Sequence, residues 1–172
     1  MSNTILVTYA SRAGSTAGVA EAIGKTLAEH GLQVDVRPMS DVVDLAPYRA
    51  VVAGSAIQDK RWLPEAMQFV RTHQAALAKK PFAAFLVCMT LTIQNGKYRA
   101  EVAQWMQPVR ALVRPVSEGL FAGALDLSKV PSLRKRLMFR LSIALGAWNE
   151  GDHRDWDAIR AWAEVLAGQL QP

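Results

Sequence analysis

The sequence predicts a doubly wound α/β domain, a five-stranded parallel sheet with helices on both faces. Three observations carry this expectation. Short apolar runs alternate with helical patterns along the chain. The runs at 5–8 and 82–89 are apolar on both sides, as strands covered on two faces are. The first run also leads through a hydroxyl-rich loop with one glycine directly into a helix, and in parallel sheets ligands bind at such carboxyl ends of strands.

In order, residues 5–8 read as a buried strand and 16–30 as a helix ended by Gly31. Residues 32–37, apolar only at every second position, suit a sheet edge. Residues 50–53 form a third strand closed by Gly54, and 63–78 a helix with Pro64 in its first turn. The fourth strand is 82–89, followed by a helix at 98–113. Residues 116–124 make a fifth strand holding two glycines, and 131–148 and 155–170 are helical. No linker or repeat divides the 172 residues, so one domain spans 1–172, carrying a basic amphipathic segment at about 129–150.

The loop after the first strand is the most informative stretch. Thr8, Ser11, Ser15 and Thr16 offer hydroxyls, Gly14 lets the backbone bend, and no acidic residue precedes Glu21. The first N–H groups of a helix lack backbone partners and its dipole favours an anion there. The loop has neither the Lys-Ser/Thr ending of a triphosphate P-loop nor a dinucleotide glycine fingerprint, so a monophosphate held without metal fits it. If the first strand is central, two further loops converge on the same crevice. The 54–62 loop opens with Gly-Ser and ends in Trp62, which either stacks on a ring or packs at the entrance of the next helix. The 90–98 loop carries hydroxyl, amide and aromatic groups around an Asn95-Gly96 turn. A flat ring with polar edges and a phosphate tail matches all three.

With this order of elements and its Thr-x-x-Ser-x-x-Gly-Ser-Thr loop, the chain resembles a flavodoxin-like FMN domain, with strand order 2-1-3-4-5. The resemblance places Ser11, Arg12, Gly14, Ser15 and Thr16 at the FMN phosphate, and Thr8 and Ala13 are counted with them as cofactor-binding residues. It places Ser55, Ala56, Ile57 and Trp62 on one side of the isoalloxazine and Thr90, Leu91, Thr92, Asn95 and Gly96 on the other. Arg12 either neutralises the phosphate or points to solvent. Gly119–Leu127, the basic-apolar segment after it and Arg154-Asp155-Trp156 are similar to flavodoxin-like menaquinone-dependent protoporphyrinogen oxidases. That likeness implies oxidation of protoporphyrinogen IX to protoporphyrin in haem biosynthesis, with a quinone as electron acceptor. The alternatives are an electron-transfer flavodoxin serving a larger reductase and a non-enzymatic binding module. Electron-shuttling flavodoxins are acidic as a family, whereas this chain has a net charge of +5. Positive charge tolerates an anionic reduced flavin, which tilts the reading towards two-electron substrate oxidation.

Between Asp126 and Glu150 no acid occurs, but Lys129, Arg134, Lys135, Arg136 and Arg140 do. Leu133, Leu137, Leu141, Ala144 and Trp148 recur at helical steps. Such a helix lies on an anionic membrane surface or against an acidic partner, presents Arg134, Lys135, Arg136 and Arg140 to the propionates of a tetrapyrrole, covers the sheet with a solvated basic end, or makes a homodimer face.

No side chain is assigned to catalysis, because FMN carries the redox step. His30, His73 and His153 form no metal-ligand spacing. Cys88, the single cysteine, reads as a structural residue of a reducing compartment. Trp105, Trp156, Trp162 and Tyr98 read as packing residues. The start of the chain lacks a secretory signal pattern; the expected location is cytoplasmic, peripheral on the inner face of the cell membrane through 129–148. Without a stacking platform or groove-reading motif, nucleic acid is not an expected partner.

Overall fold

The structure, a computed structural model, describes residues 2–93 and 95–171. Five parallel strands form its sheet: β1 (Thr4–Ala10), β2 (Gln33–Pro38), β3 (Tyr48–Gln58), β5 (Phe82–Cys88) and β6 (Ser117–Ala122). Their order is β2-β1-β3-β5-β6, the expected 2-1-3-4-5 arrangement of the main strands. A two-residue strand, β4 (Arg61–Trp62), folds back antiparallel on the end of β3.

Strand periodicity divides the core into two layers. Leu6, Val51, Ala53 and Leu86 face one side. They pack on α2 (Pro64–Thr72), α3 (Gln74–Leu77), α4 (Gly96–Gln104) and α5 (Gln107–Leu112) through Phe69, Leu77, Val102 and Val109. Ile5, Val7, Val52 and Phe85 face the other side, against α1 (Ser15–Glu29) and α7 (Trp156–Gln169) through Val19, Ile23, Ile159 and Leu166. Two expected helices are each broken. The 63–78 helix divides at His73, and the 98–113 helix divides before Pro108, which occupies the first turn of α5. A proline has no N–H to continue the first helix and suits the start of a second.

β3 is 11 residues long and carries Gly54 and Ser55 inside the sheet, not in a loop. Gly54 serves packing: a Cβ there would collide with the ring of Phe85 on the neighbouring strand.

Between β6 and α7 the chain leaves the sheet. β7 (Ala124–Leu125) pairs antiparallel with β8 (Gly151–Asp152) and closes the base of this insertion. The closed segment holds α6 (Leu133–Ala144), which is shorter than the expected 131–148 helix and has no buried residue.

Candidate FMN site

The site forms where β1, β3 and β5 end. β1 stops at Ala10, and Ser11 to Gly14 turn the chain into α1. The Ser11 hydroxyl accepts from the Gly14 N–H at 3.0 Å, which tightens the turn. Gly14 has φ +87°, a left-handed conformation that a side chain would strain. α1 therefore begins without a side-chain cap and without an acid in its first turn. Thr16 lies in that turn, fully buried, with its hydroxyl unpartnered. Uncapped amides beside an orphaned hydroxyl form a cradle for an anion. The residues present fit the phosphate of FMN.

Thr8 lies two residues before the end of β1, fully buried, and its hydroxyl, like that of Thr16, has no hydrogen-bond partner among the described residues. The Arg12 guanidinium, half exposed, makes a two-point ion pair with Glu65 in the first turn of α2, the Nη2–Oε2 contact being 3.0 Å. The hydrogen bond from Arg12 holds the Glu65 carboxyl below its ordinary pKa.

The second loop is a hairpin. Asp59 and Lys60 both adopt positive φ and reverse the chain between β3 and β4. Ser55 is fully buried; its hydroxyl donates to the Ala56 carbonyl at 2.7 Å and accepts from the Leu63 N–H at 3.0 Å. It braces the hairpin and is not free for a ligand. Trp62 is 3 % exposed and belongs to the core beneath the hairpin. Of its two expected roles, packing is the one the structure shows. Ile57, half-buried, is left facing the crevice.

The third loop also divides. Thr90 and Ile93 line the crevice, but Leu91 and Thr92 line a different cleft beside β6. The Thr92 hydroxyl donates to the Met89 carbonyl at 2.8 Å. Asn95 caps α4, accepting from the Lys97 N–H at 2.9 Å, and Gly96 begins that helix. Gln94 lies outside the described residues.

What remains between the loops is a cleft of about 500 Å³ bounded by Ile57, Lys60, Thr90, Tyr98, Phe139 and Trp148. Lys60 is paired with Glu101 at 2.8 Å across it. Cys88 forms part of its floor, and burial pushes its thiol up to about 11. Phe139 and Trp148 come from the insertion, and the sequence reading did not assign them to the site. Only their aromatic character signalled a role.

The insertion is tied to the phosphate end as well. Arg154 donates to Asp152 at 2.7 and 2.8 Å, lies 4.4 Å over the Trp156 ring and donates weakly to the Ser15 carbonyl at 3.4 Å. Among the bases of 129–140, Arg136 turns inward and donates to the Val130 carbonyl at 2.9 Å, so it is not free for a substrate. Lys129 lies 3.7 Å from Asp126. Arg134, Lys135 and Arg140 form no ion pair among the described residues.

A parallel 2-1-3 crevice with an anion cradle at the first helix and flanking loops after the third and fourth main strands defines a flavodoxin-like domain. The chain belongs to the flavodoxin domain family, whose model matches residues 6–152, and its cofactor is FMN. It superposes on an archaeal flavodoxin with a TM-score of 0.59 at 20 % identity, covering 97 % of this chain and 98 % of that one. Flavodoxin 2 from Bacillus cereus gives 0.52 at 25 % identity over 83 % and 99 % of the two chains. Rubredoxin oxygen:oxidoreductase from Desulfovibrio gigas gives 0.56 at 16 % identity; the match covers 98 % of this chain but 36 % of that protein. Among curated proteins none matches the sequence. No helix among the described residues is long and apolar enough to cross a membrane, and no cluster of metal-ligating side chains occurs among them.

Proposed function

We propose that this chain is a flavodoxin-type FMN protein that carries electrons for a larger redox partner. The observation that carries the reading is the unpartnered, fully buried Thr16 hydroxyl beside an uncapped helix start at the mouth of the parallel crevice. Bound there, FMN supplies reversible electron transfer at its ring. The chain's own residues hold and tune it. Thr16, Ser15 and the first amides of α1 take the phosphate. Ile57 and Thr90 flank the ring position, and Lys60, Tyr98 and Trp105 bound the cleft around it. Lys60 is neutralised by Glu101, whereas Asp59, which lines the same cleft, forms no ion pair among the described residues and sets a negative charge near the ring position. Spectroelectrochemical titration of the FMN-loaded protein tests the reading. Two resolved one-electron steps, with rapid exchange to a redox partner, support it; a single two-electron step with no exchange overturns it.

A second reading is favoured by the insertion. Phe139 and Trp148 widen the crevice with aromatic surface, which suits a flat substrate. On this reading the chain oxidises protoporphyrinogen IX to protoporphyrin and passes the electrons to a quinone, as in haem biosynthesis. Anaerobic titration with protoporphyrinogen, following the flavin band and porphyrin fluorescence together, separates the two. Bleaching matched by porphyrin formation selects the oxidase, and an unreacted flavin selects the carrier.

A further inference from the structure

The two sides of α6 differ in what they meet. Arg136, Phe139 and Ile143 are half-buried against the domain and its insertion. At 100° per residue the opposite side holds Leu137, Leu141 and Leu145, with Leu133 beside them and Met138 at the edge that borders the 57–59 hairpin. These five are 62–77 % exposed. Among the described residues they are the largest group of exposed large apolar side chains within one segment, since the others (Val43, Ile93, Val116 and Val165) are scattered.

The charges carried by α6 itself are of one sign, although Asp59 lies across a pocket from Lys135 and Glu150 across another from Arg140. Arg140 and Lys135 flank it on its two edges and Arg134 lies within it, all exposed. No acid occurs from 127 to 149. The apolar row is therefore a surplus over what the fold requires, in a field that attracts anions. A second copy of the chain is a poor occupant, because a two-fold interface sets this patch on itself and brings base against base. An anionic bilayer satisfies both properties at once. Leucines and methionine enter the boundary between headgroups and acyl chains, while flanking bases extend to lipid phosphates.

We propose that α6 docks this protein on an anionic lipid bilayer, lying in the plane of the interface with its leucine row downward. Because Phe139 on its inner side bounds the flavin cleft, docking brings the cleft mouth next to the lipid headgroups. The idea goes beyond the electron-carrier reading and does not depend on it.

The test is co-sedimentation of the FMN-loaded full chain with vesicles of phosphatidylglycerol and phosphatidylcholine, compared with phosphatidylcholine alone. The protein partitions onto the anionic vesicles, releases them as salt is raised, and binds the neutral vesicles far more weakly. Each base near such a surface contributes about fivefold, so Arg134→Gln with Arg140→Gln weakens binding roughly 25-fold. Leu137→Asp with Leu141→Asp abolishes it. All four positions are exposed, and FMN retention by both double variants reports that the domain stays folded. Equal binding to the two vesicle types, no binding to either, or binding unchanged in the leucine variant overturns the proposal. So does a concentration-dependent dimer that Leu137→Asp dissolves, which makes the row a protein interface.

Discussion

Arg154 and Gly18 occupy one space. A Cβ at Gly18 would lie 2.5 Å from the Arg154 Nη1, so in its present position the guanidinium uses the space that the missing side chain leaves. Arg154 in turn holds the base of the insertion to the first turn of α1, through Asp152 on one side and the Ser15 carbonyl on the other.

The pair makes a coupling measurable. In an Arg154→Ala background, Gly18→Ala stabilises the protein by about 1 kcal/mol, the usual helix-interior gain. In the wild-type background the same change displaces the guanidinium, and the gain disappears or turns to a loss. A double-mutant cycle read by thermal unfolding measures the difference, and additivity within about 0.3 kcal/mol contradicts the contact.

Thr16→Val separates folding from binding. The apo protein gains about 1 kcal/mol, because an unpartnered buried hydroxyl is replaced by a methyl of equal shape. FMN binding weakens by on the order of tenfold to a hundredfold, the cost of a lost hydrogen bond to a charged group. Chemical denaturation of the apo form and fluorescence titration with FMN give the two numbers. Opposite signs are the expected signature.

Glu65→Gln releases Arg12 towards the phosphate and tightens FMN binding severalfold, measured by the same titration. Stability changes by less than about 1 kcal/mol, since the ion pair is half exposed. Its sign with pH follows from the lowered Glu65 pKa. The pair's contribution is complete above the ordinary carboxylate value and is lost as pH falls through the lowered one.

Cys88 stays a thiol under ordinary conditions. Burial raises its pKa from 9.0 to about 11, so alkylation of the native protein is slow at pH 8 and accelerates only towards pH 11. The unfolded chain ionises first, so this group lowers stability as pH rises from about 9 to about 11. Mass spectrometry after timed iodoacetamide treatment, with and without denaturant, checks both statements.

How far the sequence alone reached varies by residue. The strand order and the turn from Ser11 into α1 were legible because each depends on a local pattern: an apolar run, then a loop rich in hydroxyls, then a helix start. Trp62 and Ser55 were not, because their fate depends on where β3 ends. The strand continues to Gln58 and turns back through Asp59 and Lys60, so a stretch that looks like a loop is partly sheet and its tryptophan faces inward. Arg12 was undecided for a similar reason: its partner Glu65 lies 53 positions away and is adjacent only after α2 packs. The row of leucines in α6 was visible as a helical face, but periodicity does not tell a face that packs inward from one left outside. The structure leaves it outside.

Leu125 and Gly151 face one another across the β7–β8 hairpin, so residues 126–150 leave and rejoin the domain at one point. The sheet never passes through them. Closing a longer excursion costs only about 0.6 kcal/mol for each doubling of its length. This makes α6 a portable element: the segment between those two residues can lengthen, shorten or be exchanged while the cradle at Gly14 keeps its shape. Exchanging it also exchanges Phe139 and Trp148, so where the protein docks and what its cleft admits change together while the phosphate end is kept.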